Sequence, residues 1–94
     1  MEGLRLIVGL GNPGPEHART RHNAGFRFVD ALADKAGGRF GLDGKLFGET
    51  TKVDFAGRDL WLLKPQTFMN LSGKSVAAAL RYWKIEPEQA LLVH

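Results

Sequence analysis

The sequence predicts an α/β domain in which helices pack against a mixed sheet. Three observations point to it. A branched-aliphatic run, Leu4 to Leu10, ends in a Gly/Pro cluster; two stretches carry apolar residues at helical spacing; and two strand-like runs flank Ala56-Gly57. In chain order these read β-α-β-β-α-β, a pattern that brings helices onto a sheet containing both parallel and antiparallel pairs.

The first strand is Leu4 to Leu10, rich in Leu, Ile and Val. It stops at Gly11-Asn12-Pro13-Gly14-Pro15, where two prolines lack amide donors and fix φ, so an ordered loop follows. A helix over Asn23 to Ala36 is predicted by Phe26, Val29, Leu32, Ala33 and Ala36, with Gly37-Gly38 as its stop. Phe47 to Phe55 and Arg58 to Lys64 form a hairpin around Ala56-Gly57, and Pro65 breaks the second strand. A second helix follows Thr67 to Gly73, with Val76, Ala79, Leu80 and Trp83 on one face. Glu86-Pro87-Glu88 is a turn, and Leu91 to His94 is a last strand with the composition of a buried parallel one but without its flanking elements, so an exposed apolar sheet edge is expected there.

Composition narrows the class. The chain has 94 residues, 44% of them apolar and 24% charged, with no low-complexity tract and no repeat of solenoid period. A chain of this size buries about 60–65% of the surface it exposes when unfolded, so it is at most one small domain. Thirteen Lys and Arg against ten Asp and Glu leave +3, a weak bias toward anionic partners without any long run of like charge. The absence of cysteine excludes disulfides and thiolate metal sites and suits a reducing cytoplasm. Leu4 to Leu10 is too short for a signal or membrane segment.

Three motifs carry possible chemistry. Gly9-Leu10-Gly11-Asn12-Pro13-Gly14 fits the dinucleotide fingerprint G-x-G-x-x-G, but Pro13 removes an amide and Pro15 forces Gly14 out of helical geometry. The acidic residue expected about twenty positions on should end a second strand, whereas Asp30 and Asp34 fall within a helix. Asn12 sits at the carboxyl end of the first strand, where ligands of open α/β sheets bind, although Asn before Pro is also an ordinary turn residue. His22 precedes the first helix in Thr20-Arg21-His22-Asn23; Thr20 or Asn23 could serve only as a cap, but His22 is the best general-base candidate, with His17 and His94 as its competitors. In Thr67-Phe68-Met69-Asn70-Leu71-Ser72-Gly73, Asn70 or Ser72 could cap the helix while Met69 and Leu71 fill the core. Alternatively, the Asn70 amide both donates and accepts at a helix mouth. No His/Glu spacing resembles a zinc site, and no G-x-S-x-G elbow exists for a serine triad.

The stretches LIVGLGNPG, TRHNAGF and PQTFMNLSG, in that order, resemble the signature segments of bacterial peptidyl-tRNA hydrolases, and KLFGE and the final LLVH extend the similarity over the whole chain. The resemblance implies residues 1–94 as the N-terminal part of a single α/β domain with a mixed sheet, ending before the family's C-terminal half. It implies a monomeric cytoplasmic enzyme of translation with peptidyl-tRNA as partner and no metal, organic cofactor or membrane. His22 would be the catalytic base, and Asn12 would distinguish N-blocked peptidyl-tRNA from aminoacyl-tRNA. Asn70 would contact the substrate near its ester, with Phe68, Met69 and Asn23 around it. Where the family usually has a tyrosine that contacts tRNA, this chain has His17. In the family the strand ending LLVH runs into an aspartate that supports the histidine; here His94 is the last residue.

The reaction so implied is ester hydrolysis. Neutral His22 takes a proton from water, the water attacks the ester carbonyl, and the amide of Asn70 or Asn12 donates to the developing oxyanion. Arg19, Arg21, Lys64 and Lys74 would meet RNA phosphates. Two other readings use the same residues: a catalytically silent RNA-binding module of this fold, and a nucleotide-binding domain built on the glycine pattern.

Overall fold

A computed structural model describes residues 3–11, 24–66 and 72–94. Five strands form one sheet in the order β2-β3-β4-β1-β5, built from β1 (Leu6–Gly9), β2 (Gly41–Asp43), β3 (Gly48–Phe55), β4 (Arg58–Pro65) and β5 (Ala90–Val93). β1 runs parallel to β4 on one side and to β5 on the other, with Ile7 opposite Leu62 and Leu91. β3 pairs antiparallel with β4, and β2 antiparallel with β3. The sheet is therefore mixed, as the sequence predicts, with β1 flanked on both sides and all four of its residues buried. A strand covered on both faces requires an uninterrupted apolar run, which Leu6-Ile7-Val8 supplies.

Alternation along β1 divides the core in two. Leu6 and Val8 face one side with Leu10, Leu46, Leu63, Ala79 and Ile85; Ile7 faces the other with Val29, Ala33, Val53, Leu60 and Leu62. One helix covers each face: α1 (Ala24–Ala36) lies over Ile7, and α2 (Ser72–Trp83) lies over Leu6 and Val8. Each fully buried Leu, Ile or Val contributes about 1.5–3 kcal/mol relative to exposure, so these two clusters hold the sheet between its helices.

The helix ends follow from local chemistry. At the end of α1, Gly37 adopts φ 77°, Gly38 N donates to Ala33 O (2.8 Å) and Gly37 N to Asp34 O (3.3 Å). α2 ends the same way with Lys84 in the left-handed region, Ile85 N donating to Leu80 O (2.9 Å) and Lys84 N to Arg81 O (3.3 Å). Both are Schellman closures, but only the first uses the glycine that suits this backbone. Between β3 and β4, Ala56 (φ 55°) and Gly57 (φ 81°) make the tight turn expected of a hairpin, and Asp54 Oδ1 accepts from Gly57 N at 3.0 Å.

Two features differ from the sequence reading. A short strand, β2, and a 3-10 turn over Gly44–Leu46 precede β3, so the order gains one strand. Three residues at a sheet edge, with Leu42 77% exposed, carry no alternation for a periodicity argument to detect. Phe47 does not open β3. It sits in the left-handed region at φ 56° after the 3-10 turn, and β3 begins at Gly48.

Candidate active site at the carboxyl edge of the sheet

Because β1, β4 and β5 are parallel, their carboxyl ends, at Gly9, Pro65 and Val93, share one edge of the sheet. Ligands of open α/β sheets bind at this edge. The first turn of α1 is pressed against it. A Cβ placed on Gly25 would stand 2.5 Å from Leu10 O and 2.6 Å from Leu10 N, and would collide with Val93 O. A Cβ on Gly9 would collide with Gly25 O and stand 2.7 Å from Val29 Cγ2. Leu10 N in turn donates to Val93 O at 2.8 Å. Gly9 and Gly25 thus bring the backbones of β1, β5 and α1 into direct contact, a role for Gly9 that needs no nucleotide.

The opposite face is more open. Leu10, just after β1, and Leu92 of β5, with Ser72, Gly73, Val76, Ala77 and Leu80 of α2, line a mainly apolar cleft of about 320 Å³. Ser72 and Gly73 belong to the first turn of α2, so the cleft begins where the TFMNLSG motif meets the helix. Ser75 is fully buried, and its Oγ donates to Leu46 O at 2.5 Å, fastening α2 to the 3-10 turn. Gln66, which directly precedes that motif, donates its N–H to Phe47 O at 2.8 Å and its Nε2–H to Lys64 O at 3.3 Å.

The residues singled out from sequence, Asn12, His17, His22, Asn23, Phe68, Met69 and Asn70, lie outside the described residues, as do Arg19 and Arg21. What the structure describes are their anchors: Gly11 and Ala24 on either side of the first segment, Gln66 and Ser72 on either side of the second. His94, the described competitor for the base, follows β5 and is exposed.

One assignment is corrected. Lys64 is not free for phosphate: its Nζ lies 2.6 Å from Asp30 Oδ1, 3.3 Å from Glu49 Oε1 and 4.3 Å from the centre of the Phe40 ring, with its side chain only 13% exposed. The same pair explains Asp30. Its carboxylate ties α1 to β4, which removes the acidic residue that a ribose site would have needed. Lys74 remains exposed, with its ammonium 4.8 Å from the centre of the Phe47 ring. Sequence reasoning passed over Ser75 and Phe47, because a search for apolar periodicity ignores a small hydroxyl in a helix and reads an aromatic before a strand as part of it. Among the described residues no three His, Asp or Glu side chains come together as a metal would need, and no helix is long and apolar enough to cross a membrane.

Comparison with known proteins follows the same lines. Over all 94 residues the chain is 77% identical to a peptidyl-tRNA hydrolase of Xanthomonas campestris pv. campestris and 76% identical to one of Stenotrophomonas maltophilia, covering 49% of each. A crystal structure of peptidyl-tRNA hydrolase from Acinetobacter baumannii superposes on the whole chain with a TM-score of 0.96 at 49% identity, the match covering 48% of that protein. The chain thus spans about half the length of the curated relatives it matches. The sequence profile described as peptidyl-tRNA hydrolase matches residues 6–94, and the chain belongs to that family.

Proposed function

We propose that this chain is the N-terminal part of a single-domain hydrolase that cleaves the ester between a peptide and tRNA, releasing both. The observation that carries the reading is 77% identity over the entire chain to an enzyme of that name. The geometry supports it: the described ends of the three motif segments meet along one sheet edge, beside a cleft whose apolar lining suits the side chains of a peptide.

In this proposal His22 is the general base. Its neutral imidazole takes a proton from water, and the hydroxide equivalent adds to the ester carbonyl. The Asn70 or Asn12 amide donates to the oxygen as negative charge develops on it. The tetrahedral intermediate then collapses, breaking the bond to the terminal ribose oxygen of the tRNA, which leaves as a hydroxyl by taking the proton back from the His22 imidazolium. Asn12 pairs with the amide of an N-blocked substrate, which a free α-ammonium cannot imitate in charge or hydrogen bonding. His17, Asn23, Phe68 and Met69 complete the substrate contacts, and the reaction calls on no serine or cysteine nucleophile, metal or organic cofactor. The setting proposed is a cytoplasmic monomer acting in translation.

The experiment is single-turnover hydrolysis of peptidyl-tRNA by a protein of the relatives' length. His22→Ala is expected to slow the chemical step by about 10²–10⁴-fold while tRNA affinity stays within about twofold. Unchanged turnover would remove His22 from the reaction.

A further inference from the structure

We infer that Phe47 and Lys74, flanked by Lys45 and Tyr82, form a stacking platform for an unpaired nucleotide at the margin of the candidate active site. Phe47 is 39% exposed although its neighbour Leu46 is buried, so the chain turns this ring outward while anchoring the residue beside it. The backbone does so at a cost. A bulky residue at φ 56° is unusual, and such conformations persist only where the surroundings over-determine them.

Here the surroundings do. Phe47 O accepts from Gln66 N at 2.8 Å, and Leu46 O accepts from the buried Ser75 hydroxyl. A Cβ on Gly48 would stand 2.6 Å from Lys64 O, so β3 begins in close contact with β4. Asp43 Oδ1 accepts from Lys45 N at 3.0 Å, which closes the 3-10 turn from the other side. The ring is therefore fixed relative to both α2 and the residue preceding the TFMNLSG motif.

The chemistry around the ring is basic and aromatic. Lys74 Nζ lies 4.8 Å from the Phe47 centroid, and Lys45 Nζ lies 5.7 Å from the centroid of Tyr82, itself 56% exposed. The nearest carboxylate along the chain, Glu49, already faces Lys64 at 3.3 Å, and Asp43 is held by the turn it caps. Two exposed rings, each with an ammonium over it, bring together what a single strand of nucleic acid binds: an aromatic ring for a base and cations for its phosphates. A duplex, whose bases are already stacked, gains little from such a surface. The platform rests on the proposed function, and on that reading its ligand is the single-stranded acceptor end of the tRNA.

Binding of a single-stranded oligoribonucleotide carrying a tRNA 3′ end tests this by fluorescence anisotropy. A blunt RNA duplex serves as the comparison, and the protein is of the relatives' length. Phe47→Leu is expected to weaken single-strand binding about tenfold and Phe47→Tyr to retain it, as loss and rescue of one stacked base require. Lys74→Gln should make the dependence of log K on log salt shallower by about 0.7, with duplex affinity unchanged. If Phe47→Leu does not fold, Lys74→Gln decides alone. Single-strand affinity and salt slope unchanged in every folded variant would overturn the platform, even where the wild-type protein cleaves peptidyl-tRNA. Conversely, a wild-type protein that binds the strand through Phe47 but leaves peptidyl-tRNA intact would overturn the enzymatic reading and keep the platform.

Discussion

The two faces of the sheet are covered by helices of similar length in different ways. α1 meets the sheet backbone to backbone at its first turn, where Gly9 and Gly25 leave no room for even a methyl group. Val29 and Ala33 are buried on the same side. α2 meets the sheet through side chains. Val76, Ala78, Leu80 and Trp83 are only partly buried, and an apolar cleft stays open between the stretch from Ser72 to Leu80 and the side chains of Leu10 and Leu92. On this side the buried hydroxyl of Ser75 does part of what glycine contact does on the other. The contrast teaches where the molecule tolerates change. A face closed by backbone holds its helix at a fixed distance, whereas one closed by side chains leaves space that a ligand can occupy.

The largest effect expected from breaking this contrast is at Gly25. The atoms that an added methyl would meet are Val93 O, Leu10 O and Leu10 N, all of them backbone and none able to rotate away. Gly25→Ala should therefore cost about 3 kcal/mol, with overpacking outweighing the roughly 1 kcal/mol that alanine gains in a helix. Urea unfolding of the wild type and the variant measures it. A loss below about 1 kcal/mol would mean that α1 can lift from β1 and β5, and that its face is no more closed than the other.

Ser75 comes next. Ser75→Ala removes the donor to Leu46 O inside the core and leaves a buried carbonyl without that bond, an effect of about 1–2 kcal/mol. The loss should be local. Because Leu46 and Phe47 are neighbours, amide hydrogen exchange at Phe47 and Gly48 should speed up more than exchange in α1. Uniform acceleration through both helices would show that the hydroxyl contributes only to global stability, and that the 3-10 turn does not depend on α2.

How much of this was legible in sequence follows the same division. The α1 face was read well: Phe26, Val29, Leu32, Ala33 and Ala36 gave the helix, and Gly37 gave its end, because both signals are local. The hairpin was legible from Ala56-Gly57 for the same reason. β5 reads as a parallel strand that presents an apolar edge, and it does run parallel to β1 at the edge of the sheet, with Leu91 and Leu92 exposed. Gly25 looked like any helical glycine, and its importance appears only when α1 is laid on Leu10 and Val93. Lys64 looked like a phosphate contact until Asp30 and Glu49, far from it in sequence, were found around it. The candidate site shows the limit most clearly. Asn12, His22 and Asn70 come from motif chemistry and resemblance and lie outside the described residues, whereas the sheet edge and the cleft are described.

The smallest expected effect sharpens the contrast by its sign. Gly73 lies in the first turn of α2, and a Cβ placed on it would meet nothing within 4 Å, although the residue borders the cleft. Its φ lies outside the left-handed region, so alanine can adopt the same backbone. Gly73→Ala should then stabilise the protein by about 0.4–1 kcal/mol, chiefly by restricting the unfolded chain. The same substitution would thus destabilise at Gly25 and stabilise at Gly73, one glycine near the start of each helix, with contact geometry as the only difference. Urea midpoints measured side by side give the comparison. Destabilisation by Gly73→Ala would mean that the α2 face closes more tightly than the open cleft implies, and the cleft would lose its standing as a place where a peptide fits.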